Sequence, residues 1–121
     1  MKKYDIIVPV PISKERYKNR GYNQTSIFAS SLAKYLQIEY SENTLKKVKN
    51  NKPQSLLSQE QREENVQNAY KIIKYNINEI LNKNVLLVDD IFTTGSTLNE
   101  CSKILNKFGA KNIDAFTIAK D

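Results

Sequence analysis

Residues 85–97 read VLLVDDIFTTGST, Val85 to Thr97. The four apolar residues Val85 to Val88 form the continuous run expected of a strand covered on both faces. Two carboxylates follow at once, Asp89 and Asp90. Hydroxyl side chains and a glycine come next. Beyond them Leu98, Cys101, Ile104, Leu105 and Phe108 recur at helical spacing, which predicts a helix over 97–108 ended by Gly109. Strand, acidic pair, loop over 91–96 and helix make one βα unit. In open parallel sheets the loop of such a unit lies where ligands bind, beyond the C-terminal strand ends.

The residue types in that loop suit an anion. A helix N-terminus presents N–H groups and the positive end of its dipole. Gly95 lets the backbone approach closely or take a positive φ. Thr93, Thr94, Ser96 and Thr97 add hydroxyl donors without bulk. A phosphate held there carries its attached group toward Asp89 and Asp90, and carboxylates accept from paired hydroxyls, so a ribose phosphate fits. A divalent ion could also sit between a carboxylate and substrate oxygens. No Gly-Lys pair is present, so this is not a Walker loop. Helix capping by Ser96 or Thr97 is expected in any case, but capping does not account for the acidic pair.

Outward from this unit the chain alternates strands and helices. Ile6 to Val10 reads as a buried strand, with Pro9 and Pro11 at its end because neither donates to a ladder. Ser13 to Gly21 is a basic loop. Asn23 is placed to cap a helix through Leu36, with Ile27, Phe28, Leu32, Tyr35 and Leu36 on its apolar face. Thr44 to Val48 reads as a short strand and Lys49 to Leu57 as a polar loop. Ser58 with Gln61 has the capping-box pattern, which predicts a helix to about Ala69. YKIIKY (70–75) reads as a strand, NINEILNKN (76–84) as a turn or short helix, and Ile113 to Ala119 as the last strand. The expected fold is one α/β domain over 1–121, a mostly parallel sheet flanked by helices with the Asp89 strand central and 91–96 at a solvent-facing sheet edge.

Composition narrows the chemistry. The 121 residues hold no histidine and one cysteine. Ser-His triads, His-ligated metals, internal disulfides and cysteine-rich metal sites are therefore excluded. No apolar run is long enough to span a membrane. The opening MKKYDIIVPVP is too short and too broken by proline for a signal peptide, so a cytoplasmic location is expected. Up to residue 53 there are 11 Lys/Arg against 4 Asp/Glu, and after it 8 against 9. A basic first half suits a polyanion, either a phosphorylated small molecule or a nucleic acid. Lys14, Arg16, Lys18 and Arg20 follow the first strand, where fixed cations could hold a pyrophosphate. Tyr4, Tyr17, Tyr22, Tyr35 and Tyr40 are interspersed among the basic residues, as in surfaces that bind single-stranded DNA by charge and stacking. Tyr35 is expected in the core, and so is Cys101.

The stretch VLLVDDIFTTGST resembles the ribose-5-phosphate-binding motif of type I phosphoribosyltransferases. That resemblance implies ribose hydroxyls of phosphoribosyl pyrophosphate (PRPP) on Asp89 and Asp90, and its 5′-phosphate on Thr93, Thr94, Gly95, Ser96 and Thr97. It implies Mg²⁺ with the pyrophosphate, near Asp89 and Asp90, and transfer of a pentosyl group as the reaction. Purine-salvage members carry an acting aspartate where Thr93 stands, which argues against purine salvage. DIIVPVPISKERYKNRGYNQ (Asp5 to Gln24) and KPQSLLSQEQREENVQNAY (Lys52 to Tyr70) are similar to the ComF, competence-associated, branch. They imply roles in substrate binding for Lys14, Arg16, Gly21, Asn23, Gln24, Gln54, Arg62 and Asn65, with Arg20 on the leaving pyrophosphate. Lys47 stands where that branch often has arginine, and Asn51 where it often has threonine. Members of the branch commonly carry a cysteine-rich zinc module before the first strand; one cysteine cannot build it, so either a short form or a fragment of a longer chain is expected. The resemblance further implies a part in DNA uptake and contact with competence-machinery proteins. A second reading is a competence factor that binds single-stranded DNA, and PRPP without catalysis.

Overall fold

The computed structural model describes residues 3–12, 23–48, 58, 69–92 and 95–120. In chain order the elements are β1 (Ile6–Pro9), α1 (Gln24–Leu36), β2 (Glu39–Tyr40), β3 (Leu45–Lys47), β4 (Tyr70–Ile72), a 3₁₀ helix (Lys74–Glu79), β5 (Asn84–Phe92), α2 (Ser96–Lys107) and β6 (Asn112–Lys120). Four strands form a sheet in the order β2-β1-β5-β6, and every neighbouring pair in it is parallel. β3 and β4 make a separate antiparallel pair.

β5 is internal because Val85–Val88 are buried throughout. Successive side chains of a strand point to opposite faces, and the core divides accordingly. Ile6, Val8, Val10, Val85 and Leu87 join Leu98, Cys101 and Leu105 of α2, together with Leu45, Tyr70 and Ile72 of the β3–β4 pair. Ile7, Leu86 and Val88 join Ala29 and Ala33 of α1. The helices thus cover opposite faces, as the unbroken apolar runs require. Pro9 lies in register with Val88 but has no N–H to give. The ladder loses nothing on that side, because Val88 bonds the residue after its partner: the N–H of Val10 donates to the Val88 carbonyl at 2.8 Å.

Several expectations need correction. The sheet-facing side of α1 is Thr25, Ser26, Ala29 and Ala33, whereas Ile27 is 59% exposed, Tyr35 77% and Leu36 41%. Only Phe28 and Leu32, of the five residues expected on its apolar face, pack against the core. Small side chains let the helix axis lie close to the sheet, and tight packing decides the face. β5 runs on through Ile91 and Phe92, which pair with Ala119 and Lys120. Those two residues are therefore in an internal strand and not in an edge loop. The YKIIKY strand stops at Ile72 and gives way to the 3₁₀ helix. The two-residue strand β2 is too short to leave a periodic signal. The polar loop 49–57 and residues 59–68 of the expected Ser58–Ala69 helix lie outside the described residues.

Two turns are fixed by backbone requirements. Gly109 follows α2 at φ 105°, the left-handed C′ position. Between β2 and β3, Ser41 Oγ and Thr44 Oγ1 lie 2.6 Å apart, and Ser41 also donates to Glu79 Oε2. That cluster fastens the turn to the 3₁₀ helix.

The α1 packing can be tested by stability. Ala29→Leu overfills a closely packed contact and is expected to cost about 1–3 kcal/mol. Tyr35→Ala removes an exposed ring and should stay within about 0.5 kcal/mol of wild type. Urea unfolding of both variants measures the contrast.

Candidate functional site

The C-terminal ends of β1 and β5 converge with the N-termini of α1 and α2, because each helix is the next element after its strand in a parallel crossover. Helix N-termini on both sheet faces bring two positive dipole ends to one sheet edge. Asp89 and Asp90 stand on β5 at that edge, both half-buried. Since β5 remains a strand through Phe92, the two carboxylates take opposite faces. Asp89 shares the α2 face with Val85 and Leu87, and Asp90 the α1 face with Leu86 and Val88. The backbone N–H of Asp90 donates to Asp89 Oδ1 at 2.8 Å, which orients the first carboxylate from the second residue. The pair brackets the strand end from both sides.

Gly95 is the N-cap of α2 at φ 82°, ψ 0° and gives no side-chain cap. The expected capping by Ser96 or Thr97 is replaced by this glycine, and the helix begins at Ser96. Ser96 and Thr97 are its first two residues, both half-buried. A left-handed glycine here turns the chain from the loop into the helix with no Cβ at the bend. The first-turn N–H groups of α2 lie directly behind it.

On the other face Asn23 caps α1: its Oδ1 accepts from the Ser26 N–H at 3.3 Å, and its carbonyl from the Ile27 N–H at 3.1 Å. That carboxamide oxygen is engaged by the helix. Gln24 is the exposed first residue of the helix. Lys14, Arg16, Arg20, Gly21, Gln54, Arg62, Asn65, Thr93 and Thr94 lie outside the described residues.

Lys47 joins the site region through the pairing of β3 with β4. In β3, Leu45 and Lys47 alternate onto the inner face, opposite Ile72 and Tyr70 respectively. Leu45, Tyr70 and Ile72 are core residues, so Lys47 occupies an inward position of the hairpin. Its Nζ lies 5.6 Å from the Tyr70 ring centroid, within cation–π range. Burial pushes the Cys101 thiol far up, and the charge of Asp89 adds to this while Lys47 opposes it. The two charges therefore act on one buried atom from the same side of the sheet. Cys101 is a free, fully buried thiol in the α2 core, as expected.

The tyrosines are dispersed. Tyr4 donates to Asp114 Oδ2 at 2.6 Å, and this bond raises its pKa, with burial second. Tyr40 points its hydroxyl into the α1 face, where burial raises its pKa. Tyr35 is on the surface. Tyr17 and Tyr22 lie outside the described residues.

Among the described residues no group of three or more Asp, Glu, His or Cys is placed to hold a metal. The two adjacent carboxylates are hard oxygen donors that suit Mg²⁺ only with further oxygens from a ligand or water. No helix of the described residues is long and apolar enough to cross a membrane.

Comparison with known proteins agrees with this geometry. Residues 23–121 match the family described as phosphoribosyl transferase domain. The chain is 40% identical to Competence protein F of Haemophilus influenzae over 116 residues, 96% of this chain and 50% of that protein. It is 27% identical to the DNA utilization protein YhgH of Escherichia coli K12 over 116 residues, 96% of this chain and 49% of that one. The chain thus spans about half the length of the curated relatives it matches. Among solved structures, glutamine PRPP amidotransferase from B. subtilis superposes with a TM-score of 0.60 at 21% identity, over 95% of this chain and 22% of that one. Adenine phosphoribosyltransferase from Saccharomyces cerevisiae gives 0.59 at 18% identity, over 98% and 56%. At these identities the structures share the fold.

The raised Cys101 pKa has a sign that can be checked. A thiol kept neutral by the fold favours the folded state less as pH rises past its unfolded value of about 8.5. Above that pH stability should fall by up to about 1.4 kcal/mol per pH unit from this group. Cys101→Ala should flatten that part of the curve in urea titrations between pH 7 and pH 10, and a wild-type slope retained by the variant would exclude Cys101 as its source.

Proposed function

The chain belongs to the phosphoribosyl transferase domain family, and we propose that it binds PRPP at the C-terminal edge of β5 and serves DNA uptake in natural competence. The observation that carries this reading is the acidic pair near the C-terminal end of an internal parallel strand, followed by a helix capped by left-handed Gly95. The names of the relatives, Competence protein F and DNA utilization protein, support the biological setting. A cytoplasmic site of action belongs to the same proposal, because a multiply charged sugar phosphate does not cross a membrane unaided.

In this reading the first-turn N–H groups of α2 and the hydroxyls of Thr93, Thr94, Ser96 and Thr97 take the 5′-phosphate. Asp89 and Asp90 accept from the ribose hydroxyls, approaching the sugar from the two faces of the strand end. Lys14, Arg16, Arg20 and Gly21 meet the pyrophosphate, with Asn23 and Gln24 at the head of α1 and Lys47 on the α2 side. Gln54, Arg62 and Asn65 complete the substrate contacts. Asp89 or Asp90 would be the carboxylates available to a Mg²⁺ ion, which would neutralise part of the pyrophosphate charge.

The reaction class is displacement at the anomeric carbon. A nucleophile bonds to that carbon, the bond to pyrophosphate oxygen breaks with its electron pair, and the nucleophile loses its proton. The cation-like sugar of the transition state is stabilised by position and charge rather than by covalent chemistry. Asp89 and Asp90 favour it electrostatically, and the basic residues favour the leaving group. Thr93 has no carboxylate to act on a purine, which directs the proposal away from purine salvage.

The reading of the chain as a single-stranded DNA binder without catalysis has less support, since of Tyr4, Tyr35 and Tyr40 the first is hydrogen-bonded to Asp114, the last packs against the core, and Tyr35 alone of the three is fully at the surface.

Calorimetric titration of PRPP with and without Mg²⁺ tests the proposal. Asp89→Asn with Asp90→Asn should abolish measurable PRPP binding, since each charge-assisted bond lost is worth about 1.5–3 kcal/mol. Binding of a short single-stranded oligonucleotide should be equal or slightly stronger in that variant. Survival of PRPP affinity would remove the acidic pair from the site. Gly95→Val forces a branched residue into left-handed backbone and should weaken binding of both PRPP and ribose 5-phosphate. Unchanged affinity in that variant would place the phosphate elsewhere.

A further inference from the structure

β6 is the last strand of the sheet, and among the described residues nothing pairs with its outer edge. At nine residues it is long for such an edge. No proline interrupts Asn112–Lys120, and no lysine stands between its two ends. Of the usual devices that blunt an exposed edge, the strand keeps only the charge of Asp114 between its two ends. Phe116 is 44% exposed there and is held flat against Phe28, with ring centroids 5.8 Å apart.

The direction of the unused backbone groups follows from the ladder. The N–H groups of Asp5 and Val10 donate to the carbonyls of Asn84 and Val88, so even-numbered residues of β5 face β1 and odd-numbered ones face β6. A residue in a parallel ladder bonds to the two residues flanking its partner. With Leu87 opposite Ala115 and Asp89 opposite Thr117, Asp114, Phe116 and Ile118 bond to β5. The N–H and C=O groups of Ile113, Ala115, Thr117 and Ala119 therefore point outward.

We propose that two copies of this chain pair through their β6 edges, antiparallel and centred on Thr117, to join their sheets into one. The sequence of β6 is self-complementary in that register. Thr117 stands opposite Thr117 of the second copy, as a hydrogen-bonded pair made by its outward N–H and C=O. Ala115 stands opposite Ala119 and Phe116 opposite Ile118, while Asp114, whose carboxylate also accepts from the Tyr4 hydroxyl, stands opposite Lys120. Small residues thus meet on one face, and an apolar pair flanked by opposite charges meets on the other. Centring on Ala115 would set Asp114 against Phe116 and lose the charge match. The seam lies one strand away from Asp89, the register partner of Thr117. This pairing is independent of what the site binds.

Sedimentation velocity of the full chain, from low to high micromolar concentration, is expected to show a monomer–dimer equilibrium. Thr117→Pro removes an outward N–H and no bond to β5, so it should leave a monomer across that range. Asp114→Lys should weaken the dimer by about tenfold or more, and Asp114→Lys with Lys120→Asp should restore it. Circular dichroism reports whether each variant is folded; should Thr117→Pro unfold, the charge swap decides. A wild type that stays monomeric, a dimer indifferent to Thr117→Pro in the folded state, or a swap that fails to restore association would each overturn the pairing.

Discussion

Val85–Val88 lose contact with water on both faces at once, and the same residues are paired on both edges, by β1 and by β6. Each such side chain contributes about 1.5–3 kcal/mol when fully buried. A strand of this kind has one place to go, the interior of a parallel sheet with a helix on each side. Once it is there, the positions of α1, α2 and the β3–β4 pair are constrained, because all of them cover one or other of its faces.

The chemistry of the site grows from the end of that constraint. The buried run 85–88 gives way to the half-buried acidic pair, but the ladder does not end there: β5 continues to Phe92 through its pairing with β6. Asp89 and Asp90 are thereby held in a regular strand, half-buried and on opposite faces. Charged groups in such a position retain enough water to stay soluble in the fold, yet they are fixed by backbone geometry and by the Asp90 N–H bond to Asp89. Beside them, Gly95 reverses the chain without a side chain at the bend. Carboxylates held in a strand next to an open helix terminus are the arrangement on which the proposed sugar-phosphate site rests, and such a site needs little rearrangement on binding.

The two faces are closed by different means. On the α2 face, Leu98, Cys101 and Leu105 fill the space with conventional apolar volume. On the α1 face, Ala29 and Ala33 bring the helix close, and the larger Ile27 and Tyr35 are left at the surface. The hairpin of β3 and β4 adds a further layer over the α2 side. Its inner face carries Lys47 above Tyr70, a cation where the alternation of Leu45, Tyr70 and Ile72 leads one to expect an apolar residue.

The amino-acid sequence by itself determined the α/β class, the internal rank of the Asp89 strand, the Asn23 cap, the spacing of Leu98, Cys101 and Leu105, and Gly109 as the stop of α2. These features are written in local periodicity and in residues with one dominant backbone role, so they survive without knowledge of neighbours. It also set Asp89, Asp90 and Gly95 apart as the residues on which the proposed sugar-phosphate site is built, because no local structural need accounts for that combination. Only the tertiary structure decided which face of α1 meets the sheet, since hydrophobicity ranked Tyr35 and Ile27 above Ala29, whereas close approach required the smaller residue. It alone carried β5 past the acidic pair, because that extension depends on β6, about thirty residues later in the chain. And it alone brought Lys47 to the Asp89 side, for a three-residue strand has too few positions for its inward face to be known until its partner Tyr70 is in place.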